Sequence, residues 1–377
     1  MKVPMSASSD TASPASGESS KLRSIEAARA LAALLVVLMH AANLMRVEHF
    51  SGHVGLAGIF DFGYVGVDFF FVLSGFIITY VHFAEIGKPT SIPRYLWRRF
   101  SRIYPIYWTI LLIAIGLTTA ARVASGKGLG FEIGLGDISG TVLLLMDPAE
   151  PKYVGVAWSL QFEVVFYLMF CLLLANARLG AAVFAAWGTY LVARALGIVS
   201  FDLPMGMSSA HCLEFLFGVI VGSVARRGAL SCSFRVLPAV LGVFVLGVVF
   251  DVYGPFERHS SYGRIVLGLA SAAILLTLVA LESRRAIRPP AWLAKMGSVS
   301  YSIYLGHVLF INLVYTILLK VGLYPVLPEV MIFLIGLGGA LAVTVTIGLY
   351  VELPLVGLLK NRWRGKSRSA PSAASGI

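Results

Sequence analysis

The sequence predicts an all-α fold: a polytopic transmembrane helix bundle of about ten spans, with both termini in the cytoplasm. Three observations carry this expectation. First, 58% of the 377 residues are hydrophobic and only 13% are charged, and mean hydropathy is +0.84. A soluble domain carries about a quarter charged residues, so too few groups remain here to cover a water-facing surface, and a bilayer is the natural solvent. Second, mostly apolar stretches of roughly 20 residues, the length a spanning helix needs, recur along the chain. Third, Lys and Arg fall in alternate connections between these stretches.

The expected spans are 25–46, 59–81, 103–121, 156–176, 179–198, 208–225, 236–253, 264–282, 298–319 and 328–352. The apolar stretch 139–147 is too short to cross and is expected to be interfacial or re-entrant. With the N-terminus inside, the connection between the second and third spans holds Lys88, Arg94, Arg98, Arg99 and Arg102, and 22 of the 30 Lys and Arg residues lie inside. An odd span count would scramble this asymmetry. Residues 1–22 are expected to form a disordered cytoplasmic tail and 23–358 one membrane domain. Residues 359–377 are expected to be a basic, then disordered, tail. The start lacks the charged-then-apolar order of a secretory signal peptide.

The composition also excludes several classes. The net charge is +11, which the cytoplasmic bias explains; basic residues interleaved with spans make no nucleic-acid groove. Cys171, Cys212 and Cys232 form neither a disulfide framework nor a zinc spacing. No metal-binding motif, Walker loop or Rossmann fingerprint is present. Nor is there an internal repeat of the kind found in inverted-repeat transporters.

What remains is a set of ionisable groups inside apolar spans, which face a bundle interior or wet cavity as a rule. In the first span Arg29 and His40 are eleven positions apart. Eleven steps of about 100° close on one helix face, with the side chains roughly 16 Å apart along the axis. Glu26, one turn before Arg29, is placed to pair with it. The second span contains Gly66-Val-Asp68-Phe-Phe-Phe-Val-Leu-Ser74-Gly75-Phe; Ser74 and Gly75 permit close helix approach, and Asp68 is either a helix cap or a site carboxylate. Arg99 and Arg102 lie one turn apart before the third span, suited to phosphate as planar guanidinium forks or serving as plain interfacial anchors. The fourth span opens Trp158-Ser159-Leu-Gln161-Phe-Glu163-Val-Val-Phe-Tyr167, where Glu163 is either an acid–base group or a strut between helices. His211 and Glu214 open the sixth span at one-turn spacing. In the ninth, Ser300, Tyr304 and His307 share a face beside Tyr301 and Ser302, and Glu352-Leu-Pro354 closes the tenth, with Glu352 expected to pair with an Arg.

Taken in order, several of these segments resemble the bacterial acyltransferase-3 family. They are the Arg29-to-His40 spacing, the Gly66–Phe76 run, Arg98-Arg99-Phe-Ser-Arg102-Ile-Tyr104-Pro105, Trp158–Glu163, Ser300–His307 and Glu352-Leu-Pro354. The resemblance covers roughly residues 22–358 and is to members made only of the membrane domain. It implies O-acylation, usually O-acetylation, of a surface or exported glycan, with acetyl-CoA as donor, no permanently bound cofactor and an inner-membrane location. The family's Arg–His pair falls on Arg29 and His40, and its cytoplasmic Arg-x-x-Arg on Arg99 and Arg102. Two departures are Glu26, where Asp is usual, and His211-Cys-Leu-Glu214-Phe, where Arg or Pro often precedes the Glu.

The expected site therefore has His40, Glu163 and Asp68 as catalytic residues and Arg29, Arg99 and Arg102 as donor-binding residues. Glu26, Ser74, Trp158, Ser159, Tyr167, Tyr301, Tyr304, His307 and Glu352 support them, and no metal is expected. Partners are an acyl-CoA, a glycan or lipid-linked glycan acceptor and membrane lipid. His40 acts as general base or carries the acyl group, with Glu163 or Asp68 orienting its ring. The alternatives are transfer of succinyl or another acyl group and, from a different class, a small-molecule or lipid-linked sugar transporter.

Overall fold

The computed structural model describes residues 22–47, 50, 56–128, 135–145, 153–228, 232–254 and 260–359. Among these, all regular structure is helical: α1 (Arg23–Met45), α2 (Ala57–Phe60), α3 (Val65–His82), α4 (Ile92–Ala124), α5 (Leu135–Leu143), α6 (Trp158–Ala175), α7 (Ala177–Ala195), α8 (His211–Arg227), α9 (Val236–Tyr253), α10 (Ser261–Ser283), α11 (Ala291–Ser298), α12 (Ser300–Lys320) and α13 (Glu329–Ile347). This is the all-α bundle that the composition implies, and the protein is a multi-pass membrane protein. The expected terminal tails, 1–22 and 359–377, lie outside the described residues except for Leu22 and Leu359, and the short apolar stretch 139–147 is represented by α5.

Helices stand at all ten expected places, and among the described residues eight are long and apolar enough to cross a membrane: Arg23–Met45, Gly58–Glu85, Pro89–Ala124, Gly155–Ala175, Val236–Tyr253, Ser261–Ser283, Ser300–Lys320 and Glu329–Leu359. The expected spans 179–198 and 208–225 fall on α7 and α8. α7 carries Arg178 and Arg194, and the 17-residue α8 carries His211, Glu214, Arg226 and Arg227. Charge and shortness set these two apart from the eight. α8 is nevertheless central, because its most extensive contact is with α3.

That contact depends on glycine. A Cβ on Gly75 would overlap the carbonyl oxygen of Phe215, and one on Gly218 would overlap that of Val72. The two backbones therefore touch, as small residues allow in a membrane. Ser74 is buried beside them. We expect Gly218→Val to force α8 off α3 and cost well over ~1–3 kcal/mol, the usual range for overpacking. Loss of the monodisperse detergent-solubilised protein would report it.

Side chains fix which helix ends lie together. Glu282, at the end of α10, accepts from the backbone N–H of Arg23 (2.6 Å) and Ser24 (2.9 Å) and from the Ser24 hydroxyl. It thus satisfies orphan donors at the start of α1. At the same end Trp97 of α4 donates to the carbonyl of Leu359 at 3.2 Å. The opposite end is tied by Arg46–Asp61 at 3.2 Å, by Leu56 N–H to Glu329 at 3.3 Å, and by the Tyr64 hydroxyl on Asp251. The first of these ends carries the Arg-rich connections and is called the basic end below.

Candidate active site

Two polar centres share the inner face of α1. The first surrounds Arg29 near the basic end. Arg29 is held by Glu26 at 3.1 Å, and the charges of Arg102, Glu352 and Glu163 also act on it. Arg102, from α4, pairs with Glu352 at 2.8 Å and lies 5.5 Å from the ring of Tyr301. Glu352 is fully buried, and its second oxygen accepts the backbone N–H (3.0 Å) and hydroxyl (2.7 Å) of Ser302.

The local backbone explains how Glu352 reaches these partners. It ends a π-helical turn, Gly348–Glu352. Two residues later Pro354 lacks an N–H and crowds the carbonyl four residues before it, which disfavours an ordinary α turn. Gly348 lets the chain close on Val299 at the start of α12.

Arg99, one turn before Arg102, lies 5.6 Å from the rings of both Tyr95 and Tyr167 and donates to Nε2 of His82 at 2.9 Å. Nδ1 of His82 meets Glu85 at 2.6 Å. His82 and Glu85 were not singled out by the sequence; a His at the end of an apolar span, shortly before the inside Lys88, was the available signal. Glu163 accepts from Tyr167 at 3.1 Å and faces the three arginines. Around this basin the hydroxyls of Tyr95, Ser300 and Tyr301 and the Nε of Arg99 are buried without a hydrogen-bond partner. Unpaired buried donors are costly and mark where a polar ligand fits.

The second centre is a histidine pair. Nδ1 of His40 lies 2.9 Å from the carbonyl of Val36 and 3.2 Å from Nε2 of His307, and the rings meet edge to face at 4.9 Å. His307 is fully buried, whereas His40 is half-buried. Between the two centres α1 presents Ala33 and Val36, both packed. The Tyr304 hydroxyl bonds to Ser159 at 2.9 Å. The Tyr304 ring lies 5.9 Å from that of His307, and the charge of Glu163 acts on it, so this pair joins the basin to the histidines.

The remaining expected site residues are placed elsewhere. Neither Glu163 nor Asp68 bonds to His40; the side-chain contact to its ring comes from His307 instead. Asp68 does not cap α3, whose N-cap is Tyr64. It pairs with Arg264 at 2.8 Å, and the same guanidinium reaches Nδ1 of His211 at 3.2 Å, which in turn meets Glu214 at 3.2 Å. Trp158, Phe71 and Phe162 pack on His211 at 5.2, 4.7 and 5.8 Å. Asp68, His211 and Glu214 bring ligand-type atoms within 4.8 Å of one another, but Arg264 already supplies the compensating positive charge there. Arg264 counts as an ordinary outside charge in the sequence. Asp68→Ala would leave that arginine without its carboxylate, and we expect a loss of about 3–5 kcal/mol in stability, read as a lowered thermal midpoint in detergent.

An all-helical membrane bundle with an arginine basin at one end and a histidine deeper on the same helix has the parts of a group-transfer enzyme that works within the bilayer. The comparisons agree. The family described as "Acyltransferase domain" matches residues 22–349, and the chain belongs to this acyltransferase-3 family. It is similar to the exopolysaccharide production protein ExoZ of Rhizobium meliloti, with 27% identity over 70% of this chain and 81% of that protein. It is also similar to the acyltransferase MdmB of Streptomyces mycarofaciens, with 25% identity over 78% of this chain and 79% of that one. No solved structure matches. The protein is therefore an acyltransferase.

Proposed function

We propose that this enzyme transfers an acyl group, acetyl in the simplest case, from cytoplasmic acyl-CoA to a hydroxyl of a surface or exported glycan in the inner membrane. The observation that carries this reading is the separation of the arginine basin from His40 along one face of α1, roughly 16 Å by helix rise. A donor anchored by phosphates at one end and bearing its reactive carbon on a long flexible arm matches that spacing. Lys and Arg gather at the basic end, which supports a cytoplasmic position for that end, where acyl-CoA is found.

In this reading Arg99 and Arg102 bind the donor's phosphates as charge-assisted forks, and Arg29 stands where the acyl arm enters. The unpaired hydroxyls of Tyr95, Ser300 and Tyr301 are available to the polar parts of the donor. The arm runs past the Ser159–Tyr304 contact toward His40. His40 then takes the acceptor's hydroxyl proton as general base. The similarity to a protein named for exopolysaccharide production supports a glycan acceptor.

The test is mass spectrometry of surface and exported glycans from cells carrying the wild-type protein, His40→Ala or no copy. We expect ester-linked acyl groups only with wild type. Identical glycan masses in all three strains would remove the glycan as acceptor, and an added mass other than acetyl would replace acetyl by that group.

A further inference from the structure

We propose that His307 is the positioning residue of the transfer centre: it holds His40 in the tautomer that carries its proton on Nδ1, which leaves Nε2 as the base. The inference rests on the reading of His40 as the base and adds the partner that orients it.

The hydrogen bonds admit one assignment of protons to the neutral pair. Nδ1 of His307 lies 2.7 Å from the carbonyl of Tyr304 and 3.2 Å from that of Ile303. Carbonyl oxygens only accept, so this nitrogen bears the hydrogen. A neutral imidazole has one N–H, so Nε2 of His307 presents a lone pair. That lone pair faces Nδ1 of His40 at 3.2 Å, and Nδ1 of His40 also lies 2.9 Å from the carbonyl of Val36. Both neighbours accept, so Nδ1 of His40 must donate. Its Nε2 is left with the lone pair and has no hydrogen-bond partner among the described residues. The opposite tautomer of either ring would set lone pairs against each other in a buried site.

The fold keeps this arrangement fixed. His307 is fully buried, so water does not compete for its Nε2. The Tyr304 turn that accepts from His307 is pinned by the Tyr304–Ser159 hydrogen bond. A carboxylate in this position would bring a permanent charge into the middle of the bundle, whereas an imidazole accepts the same hydrogen bond while neutral.

During transfer the acceptor oxygen bonds to the thioester carbonyl carbon as its proton passes to Nε2 of His40. The carbon–sulfur bond then breaks, and the same proton leaves Nε2 for the departing sulfur. Positive charge is present on the His40 ring only between these events. Its Nδ1–H then donates more strongly to His307, so the contact stabilises the transition state more than the ground state. His307 exchanges no proton.

The experiment measures steady-state transfer by the purified full-length protein in nanodiscs. Acetyl-CoA is the donor and the chemically O-deacylated surface glycan of the source cell is the acceptor. Wild type, His40→Ala, His307→Phe, His307→Gln and the His40→Ala/His307→Phe double variant are compared. We expect His307→Phe to lower kcat by ~10²-fold with both KM values unchanged, within the range for acid–base groups and below the effect of a wrong tautomer in a serine-protease triad. His307→Gln places an amide oxygen near the Nε2 position and should restore at least about tenfold over Phe, because a neutral acceptor is regained. The double variant should be no slower than His40→Ala alone, as for residues that act as a unit. A purely structural role predicts none of these three results.

Unchanged kcat in His307→Phe, or Gln no better than Phe, would overturn the proposal. Should the Phe variant not fold, His307→Asn replaces it: its amide lies near the Nδ1 position and leaves His40 without an acceptor, so Gln must exceed Asn. Wild-type kcat in His40→Ala would instead remove the base itself, a result distinct from failure of His307.

Discussion

His40→Ala is expected to lower acyl transfer by at least about 10²–10⁴-fold, the usual contribution of a positioned acid–base group, while the protein still inserts and folds. The side chain is half-buried and, among the described residues, bonds only to the carbonyl of Val36 and to His307. Removing it deprives one neutral acceptor of a partner, which costs about 1–3 kcal/mol, while Val36 keeps its backbone bond within α1. The loss therefore falls on the chemical step. Single-turnover transfer at saturating donor and acceptor separates the two effects: the chemical rate collapses, while donor affinity stays within a factor of two or three. Wild-type rates in the variant would show that the deeper centre on α1 is not where the acyl group moves.

The second large effect belongs to the basin. Arg99→Gln with Arg102→Gln is expected to weaken acyl-CoA binding by about 10²-fold or more, because each charge-assisted hydrogen bond is worth about 1.5–3 kcal/mol and 1.4 kcal/mol is tenfold. Arg102→Gln takes the ion-pair partner from the buried Glu352, so the thermal midpoint of the double variant is read beside its affinity. Glu352 keeps its two bonds from Ser302 when Arg102 is lost, and Arg99→Gln leaves an amide N–H that can still donate toward His82. Binding of CoA by calorimetry should weaken in the double variant and become less sensitive to salt, since fewer charge contacts remain to be screened. Equal affinity in wild type and variant would move the phosphates elsewhere.

The first span was legible because geometry alone settles it: Arg29 and His40 close on one face of any straight helix, and α1 runs unbroken from Arg23 to Met45. The close approach at Gly75 was legible for the same local reason. What could not be read is partnership across the chain. His307 lies 267 residues from His40, and no periodicity links residues on different helices. Asp68 was weighed as cap or site residue, but its partner Arg264 was indistinguishable from a loop charge. His82 looked like an ordinary span end until α4 brought Arg99 against it. The expected pairing of Glu352 with an Arg was available from charge; that a π turn delivers it to Arg102 was not. The charged α7 and the short α8 are polar at ends that the bundle or its margins accommodate, which hydropathy by itself does not see.

In the proposed reaction the arginine basin and the histidine pair act on one donor from opposite ends of one helix face. The most direct measurement uses sealed proteoliposomes with the protein oriented and its basic end outward. Labelled acetyl-CoA is added outside, and deacylated glycan is held inside. Label is expected to become ester-linked to the enclosed glycan, and transfer to stop in both His40→Ala and the Arg99→Gln/Arg102→Gln variant. Label on glycan supplied outside but never on the enclosed glycan, or undiminished transfer in either variant, would contradict it.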